Sequence, residues 1–299
     1  MTDYGQPLSF GVNIDVDVDL FARSRRMARN ADKAGLDYLA MQDHPYQPGH
    51  FDVWTLMTRL TTETERVSFF TDVADLQLRP PVMLAKAAAS LSVLTGGRVA
   101  LGVGGGGFQD AIAGMGGGRR GGGEVVAYAE EALRLMRAAL AGGGVRLLGD
   151  HHRVEGYSAG PVPARPVPLW LGGQKPKMLG VAGRAADGWI SPLNIYVAPD
   201  EIPGKNKIID EAAREAGRDP AEIRRIYNVL GAIGPYRGGH GLVGKARTWT
   251  ETLTEWAVGL GVDTFVFWPL DDHLAQAEVF AAEVVPAVRE QVARVRGAR

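Results

Sequence analysis

Short apolar runs alternate with helical patterns of apolar residues along most of the chain. We assign strands to eight runs, at residues 8–14, 36–41, 67–73, 98–103, 168–171, 188–190, 223–233 and 262–268. Between them the apolar spacing is helical; Val126, Ala129, Leu133, Met136 and Leu140, for example, lie three or four residues apart, which places them on one helix face. A long alternation of strands and helices favours a parallel sheet covered by helices.

Eight strand–helix units predict a (β/α)8 TIM barrel. Such barrels need about 250 residues, so a chain of 299 residues leaves room for insertions. We place insertions after strands 4 and 6. The first comprises the glycine-rich loop 104–123, which we expect to be mobile, and the extended segment 145–157. The second comprises residues 192–220. The sequence shows no interdomain linker, and we predict one domain over residues 1–299.

The barrel prediction also locates the functional site. Ligands of this fold bind at the carboxyl ends of the strands. Seven strand ends carry polar, glycine or aromatic residues that meet this condition: Asn13, Asp43–His44, Thr71–Asp72, Gly102–Gly107, Gly172–Lys177, Ser191 and Trp268. Trp268 ends the last strand, where a flat aromatic ring facing the mouth suits a flat ligand.

The segment 167–191 predicts an anion site. An apolar strand leads into the turn Gly172-Gly173-Gln174-Lys175, and a helix and a second short strand follow. Glycines let a ligand approach the backbone, and a helix N-terminus beside lysines attracts phosphate. Lys175 and Lys177 could equally be ordinary solvated side chains.

A second glycine turn leaves two interpretations open. Gly102–Gly107 matches G-x-G-x-x-G after a strand, which would favour an NAD-dependent dehydrogenase on an open, doubly wound sheet. The match lies in the fourth unit rather than the first, and the acid at the usual distance, Glu124, begins a helix. We therefore prefer a strand exit whose backbone N–H groups contact a ligand.

Asp43 and His44 follow the second predicted strand. Histidine can donate, accept or carry a proton near neutral pH, and the strand-end position makes His44 a candidate catalytic residue with Asp43 orienting its ring. None of the six histidines forms an H-x-x-x-H or H-x-H pair beside carboxylates, so we predict no metal site.

Composition removes several classes of function. The net charge of −1 gives no reason to expect a nucleic-acid or membrane partner. The absence of cysteine excludes disulfides and thiolate catalysis. We find no signal peptide, and no apolar stretch approaches the roughly 18 residues of a membrane helix. We therefore expect a cytoplasmic protein.

Three motifs resemble one family. They are residues 78–104, from Leu-Arg-Pro-Pro to Leu-Gly-Val-Gly, residues 168–177, Pro-Leu-Trp-Leu-Gly-Gly-Gln-Lys-Pro-Lys, and residues 185–190, Ala-Ala-Asp-Gly-Trp-Ile. In this combination and order the chain resembles the bacterial luciferase-like family of flavin- and deazaflavin-dependent oxidoreductases, over roughly residues 8 to 290.

The resemblance implies a barrel that binds reduced FMN or coenzyme F420 at the strand ends. Its cofactor phosphate would lie at the two glycine turns, and His44 corresponds to the family's strand-two histidine. A non-proline cis peptide at the end of the third strand would fall at Thr71–Asp72. The implied cofactor-binding residues are Thr71, Asp72, Gly104, Gly105, Gly106, Gly172, Gly173, Gln174 and Lys175.

One departure from the family's pattern narrows the range of expected substrates. F420-dependent sugar-phosphate dehydrogenases of this family have a glutamate just after the fourth strand, where this chain has Gly104–Gly107. A sugar phosphate is therefore not expected, and the rest of the F420 branch stays open.

From the sequence we expect a monooxygenase that uses reduced FMN and O2 on a small organic substrate, with residues 104–123 as a lid. The first alternative is F420-dependent hydride transfer on the same barrel, and more distant ones are the NAD-dependent dehydrogenase and a non-catalytic flavin-binding barrel. Members of the family often dimerise, so a homodimer is a further expectation.

Overall fold

Eight parallel strands close into a barrel in a computed structural model that describes residues 3–298. The twelve strands of this part of the chain are β1 (Ser9–Ile14), β2 (Tyr38–Met41), β3 (Ser68–Thr71), β4 (Ala74–Asp75), β5 (Val99–Gly104), β6 (Gly143–Leu148), β7 (Arg153–Ala159), β8 (Leu169–Gly172), β9 (Gly188–Ser191), β10 (Arg224–Ile233), β11 (Leu242–Gly244) and β12 (Thr264–Pro269). The barrel runs β1–β2–β3–β5–β8–β9–β10–β12, and β12 pairs with β1 to close it.

Helices cover the outside of the barrel. They are α1 (Phe21–Ala34), α2 (Val53–Thr61), α3 (Pro81–Thr95), α4 (Gln109–Gly114), α5 (Gly122–Ala141), α6 (Pro176–Ala185), α7 (Ile202–Glu215), α8 (Ala246–Leu260), α9 (His273–Val279) and α10 (Val285–Gly297). A π-helical turn at Phe280–Val284 joins the last two. The predicted TIM barrel is therefore confirmed, and its closure excludes the open sheet on which the NAD-dependent alternative rested.

Local sequence signals explain where the helices begin and end. Asp52 accepts a hydrogen bond from the Thr55 amide at 2.9 Å and caps α2, as expected for an N-cap carboxylate. Gly35 adopts φ 76° and ends α1, a left-handed conformation that glycine adopts without strain. Asp17 caps a short 3-10 turn, and α1 begins directly after it at Phe21.

The strands alternate between two cores. Seven residues, each from a different barrel strand, pack together as Ala40, Phe70, Ala100, Trp170, Ile190, Ile226 and Val266. Only the lumen brings seven strands together, so these side chains point inward. Their sequence neighbours, such as Phe69 and Phe265, belong to the larger core under the helices. This alternation tells us which residues near the strand ends point into the mouth.

The insertions differ in part from the prediction. After the fourth barrel strand, residues 104–123 contain the short helix α4, and residues 145–157 belong to the antiparallel hairpin β6–β7. The second predicted insertion contains α7, which packs on α6 and buries Ile202, Ile209 and Ala213. Residues 192–220 thus contain the sixth barrel helix, and only the loop before α7 is extra chain.

Candidate functional site

A cavity of about 750 Å³ opens beside the carboxyl ends of β5 and β8. This volume lies in the range of small-molecule and cofactor sites. We call it the glycine cavity; its lining residues are Val73, Gly104–Gly107, Gly122, Gly123, Val125, Val126, Gly172, Gly173, Gln174, Lys175, Pro176, Lys177 and Met178. The two predicted glycine turns therefore meet at one site.

The cavity walls require glycine. A Cβ atom at Gly104 would lie 2.6 Å from the side chain of Val73, and one at Gly173 would lie 2.6 Å from that of Met178. A Cβ at Gly105 would meet the side chain of Val125 at 2.8 Å. Real Cβ atoms do not approach neighbours so closely, so the side chains of Val73, Val125 and Met178 pack directly on the glycine backbone.

Two side chains behind the turns fix them in place. The amide of Gln77 donates to the Gly105 carbonyl at 2.6 Å. The indole of the buried Trp189 donates to the Gly173 carbonyl at 2.7 Å. Because both carbonyls are held from behind, the turns are preorganised, which reduces the ordering cost of binding a ligand.

The electrostatics of the cavity suit a phosphate group. Lys175 and Lys177 lie on its rim with exposed side chains, and α6 begins at Pro176 between them. Helix α5 also begins at the cavity, at Gly122. Helix N-termini carry unpaired N–H groups and a partial positive charge that favours anions.

Asp43 has a different partner from the one we expected. Its carboxylate accepts two hydrogen bonds from Arg79, at 2.6 and 2.8 Å, and Arg79 also donates to Asp52 at 2.6 Å. The Asp43 side chain is almost fully buried, so the arginine neutralises an enclosed charge. Asp43 is therefore a structural anchor of this loop rather than the group that orients His44 by a hydrogen bond.

His44 lies on the mouth side of the same loop. Its Nδ1 is 2.6 Å from the hydroxyl of Tyr46, and the Phe108 ring packs edge-on at 5.4 Å. Burial and then the neighbouring His50 lower the pKa of His44 below its usual value, so the ring is neutral at pH 7. Burial raises the pKa of Tyr46 to about 12, which keeps its hydroxyl protonated.

A polar group spans the lumen just above the apolar layer. We call it the mouth cluster; it comprises Asn13, Asp72, Asn228 and Trp268. The Asn228 amide donates to Asp72 Oδ1 at 3.2 Å and accepts from the Trp268 indole at 2.9 Å. Since β3 and β10 are the third and seventh strands of the closed order, the contact with Asp72 crosses the barrel interior.

Two oxygens of the mouth cluster are buried without a hydrogen bond in residues 3–298. They are Asn13 Oδ1 and Asp72 Oδ2. Asn13 alternates with the outward Val12 and Ile14, and Asp72 keeps the inward phase of Phe70. Buried polar atoms without partners are rare and costly in proteins, so both oxygens are positions that a bound ligand would satisfy.

Three predicted residues differ from expectation. Thr71 is fully buried and its hydroxyl donates to the Gly102 carbonyl at 2.6 Å, so it braces two strands instead of facing the cavity. The non-proline cis peptide joins Asp72 and Val73, one residue later than predicted; Thr71 still pairs with Met41 in the sheet. Ser191 has the outward phase of Trp189 and faces the helices.

Sequence reasoning missed several residues of the site. These residues are Arg79, Tyr46, Gln77 and Asn228. Each contacts a partner that is distant in sequence or that a turn brings close, and none lies in a recognised sequence motif. The inward phase of Asn228, two residues after Ile226 in a strongly apolar strand, was a usable signal. No group of three potential metal ligands occurs in the described part of the chain.

The comparison with family models identifies the chain. The model described as luciferase-like monooxygenase matches residues 7–236, which is most of the sequence. The chain belongs to this family. The predicted luciferase-like oxidoreductase class is thereby confirmed.

Curated relatives of the luciferase-like protein include a dehydrogenase and a reductase. It is 26% identical to the F420-dependent hydroxymycolic acid dehydrogenase of Mycobacterium tuberculosis, over 95% of this chain and 90% of that one. It is 29% identical to the 5,10-methylenetetrahydromethanopterin reductase of Methanolobus tindarius, over 72% of this chain. The match spans 63% of that reductase, less than two thirds of its length.

Solved structures with the same fold include users of two kinds of cofactor. An F420-dependent secondary alcohol dehydrogenase in complex with an F420-acetone adduct has a TM-score of 0.84 at 20% identity, covering 95% of this chain and 99% of that one. A riboflavin lyase with modified FMN has a TM-score of 0.81 at 15% identity, covering 96% and 92%. These likenesses establish the barrel, and the family as a whole establishes a flavin or F420 cofactor.

No helix in residues 3–298 has the length and apolar character of a membrane span.

Proposed function

We propose that the protein is an F420-dependent oxidoreductase that interconverts an alcohol and a carbonyl group on a small organic substrate. The observation that carries the proposal is the glycine cavity, where Lys175, Lys177 and two helix N-termini meet beside the mouth cluster. One relative, matched over 90% of its own length, is named an F420-dependent dehydrogenase. This reverses the order of the two cofactors favoured by the sequence.

The residues present fit the phosphate-bearing part of such a cofactor. Gly104, Gly105 and Gly106 would offer backbone N–H groups from one side, and Gly172–Lys175 from the other. Because these glycines carry no side chain and line the cavity, a ligand can approach their backbone closely. Val73 lines the cavity next to Asp72, so a ring extending from the phosphate site would reach the mouth. When bound, the cofactor supplies hydride chemistry that no protein side chain provides.

His44 would serve this ring as a neutral hydrogen-bond donor. A lowered pKa keeps the ring neutral near pH 7. In the tautomer we propose, the protonated Tyr46 hydroxyl, 2.6 Å from Nδ1, donates to that nitrogen, and the ring hydrogen is on Nε2. Nε2 then directs an N–H group at the mouth, where it would stabilise negative charge that develops during reaction.

The mouth favours a small neutral substrate. Its base consists of apolar side chains, including Phe70, Trp170 and Val266, and Trp268 is partly exposed above them. The nearby Arg79 is already paired with Asp43 and Asp52, so its charge is not free for a substrate phosphate. A neutral alcohol or carbonyl compound would place its apolar part on these rings and its oxygen near the polar cluster.

The second candidate is an FMN-dependent monooxygenase. The family model carries that description, and a riboflavin lyase with modified FMN shares the fold. FMN and F420 both join a flat ring system to a phosphate, so the glycine cavity would suit either of them. In this alternative the loop 104–123, which contains α4, excludes water from the reaction.

Separate titrations with F420 and FMN distinguish the two candidates. We expect F420 to bind with a micromolar or lower Kd, read from its absorbance and fluorescence, and FMN to bind at least about tenfold more weakly. Replacement of Gly105 by valine fills the cavity wall and should abolish either signal, whereas Gly204→Ala, with open space at that position, is the matched control. Tight FMN binding without F420 binding would establish the second candidate, and binding of neither would refute both.

A further inference from the structure

Asp72 is an acid in the barrel mouth for which the proposed function has so far no role. It follows β3, and its amide donates to the Met41 carbonyl at the end of β2 at 2.7 Å, so it lies beside the loop that carries His44. Its side chain crosses the lumen to Asn228, which holds Oδ1. The other oxygen, Oδ2, is buried without a hydrogen bond in residues 3–298.

The surroundings of Asp72 favour its protonated form. The elements packed against it contribute the Met41 carbonyl from β2 and the neutral Asn228 from β10. Burial raises the pKa of Asp72 to about 7, and the Asn228 hydrogen bond opposes this only in part. A carboxylate in this position would have one oxygen without any compensating donor, which is costly in a buried site.

The ionisable groups of the neighbouring segments are engaged elsewhere. The Asp43 carboxylate is bound by Arg79, and Asp75 Oδ1 accepts the Gln77 amide at 2.8 Å. His44 contacts Tyr46. Asp72 is thus the acidic side chain of the mouth cluster, and its hydrogen-bond partner Asn228 is uncharged.

We propose that Asp72 is a catalytic residue that donates a hydrogen bond, and then a proton, from Oδ2 to the oxygen of the substrate. This rests on the proposed function. In carbonyl reduction the carbonyl carbon would gain a hydride, which the bound reduced cofactor would supply, while the O–H bond of Asp72 would break and an O–H bond would form on the substrate. The product is the alcohol, and the carboxylate left at Asp72 regains a proton from solvent.

Infrared spectroscopy of the protein without cofactor tests the protonation. We expect a carboxylic-acid C=O band that grows as the pH falls through about 7 and shifts when cyclohexanone is added. The band should be absent from Asp72→Asn and retained in Asp150→Asn, which changes an exposed aspartate in the hairpin turn. A band unchanged in Asp72→Asn would overturn the proposal.

Steady-state kinetics with reduced F420 and cyclohexanone then test the role. Asp72→Asn keeps a donor of similar shape, so KM should change less than about threefold while kcat falls by about 10²–10⁴. We expect kcat of the unchanged protein to decline above pH 7, and this decline should disappear in Asp72→Asn. If F420 binds but kcat and its pH profile survive the substitution, the role of Asp72 is refuted and the proposed function stands; if no cofactor binds, the proposed function itself fails.

Discussion

Replacing Asp72 by asparagine should stabilise the protein relative to the unchanged one, and this difference in unfolding free energy should grow as the pH rises to about 7. Asparagine has nearly the same shape and keeps a side-chain amide, but it cannot ionise. In the unchanged protein, the burial that raises the pKa of Asp72 to about 7 opposes the charged form in the folded state. The unfolded chain has no such burial, and its aspartate ionises near the usual value of 3.8. The two states therefore bind protons differently over a defined pH range.

The size and sign of the effect follow from linkage. Between about pH 4 and pH 7 the folded state keeps the proton on Asp72 and the unfolded state has lost it. The free energy of unfolding then falls by about 1.4 kcal/mol for each pH unit gained, and becomes flat above pH 7. The contribution is complete below pH 4, and the loss over the whole window is about 4 kcal/mol. Between pH 5 and 7 it is about 3 kcal/mol.

Urea unfolding at pH 5, 6, 7 and 8 measures this effect. The quantity to follow is the difference in unfolding free energy between Asp72→Asn and the unchanged protein, because other titrating groups cancel in it. The difference should rise in favour of asparagine up to pH 7 and then stay constant. Asp150→Asn, at an exposed position, is the control for the substitution itself. A difference for Asp72→Asn that does not change between pH 5 and 7 would refute a buried, protonated Asp72.

Four further substitutions probe the rest of the site. His44→Ala should lower turnover by about 10²–10⁴ with an unchanged circular dichroism spectrum; full activity would remove the histidine from the mechanism. Lys175→Ala should raise the cofactor Kd by about fivefold without changing kcat, and an unchanged Kd would contradict the phosphate assignment. Gly105→Val should weaken cofactor binding at least about tenfold in equilibrium titrations, and Gly204→Ala should not. Arg79→Met leaves a buried carboxylate without its cation and should lower the unfolding free energy by about 3–5 kcal/mol, measured in urea; a loss below 1 kcal/mol would contradict the buried ion pair.

The barrel was predictable because its strands are short apolar runs with clear ends. The run predicted at 262–268 became β12, Thr264–Pro269, and the run at 188–190 became β9, Gly188–Ser191. The role of residues 192–220 was harder to predict from the sequence. The polar face of α7 looks like an excursion in the sequence, and only its packing on α6 identifies it as a barrel helix.

The backbone turns of the candidate site could be predicted from the sequence, whereas most of its side-chain contacts could not. Both glycine turns were found, because glycine at a strand end has a local meaning. The partners of Asp43 and His44 were not, since Arg79 is 36 residues from Asp43 in sequence and Tyr46 reaches back over a turn. Asp72 was selected only as a cofactor contact, because its carboxyl environment depends on Asn228 across the lumen.

Apart from Asp72, whose neighbour Val73 lines the glycine cavity, the mouth cluster and the glycine cavity belong to different strands. The glycine turns leave β5 and β8, whereas Asn13, Asn228 and Trp268 belong to β1, β10 and β12. Residues that would recognise a substrate can therefore be exchanged without changing the loops that would bind the cofactor phosphate. This separation makes the protein a convenient starting point for redesign, in which libraries at three strand ends vary what is transformed while the source of reducing equivalents stays the same.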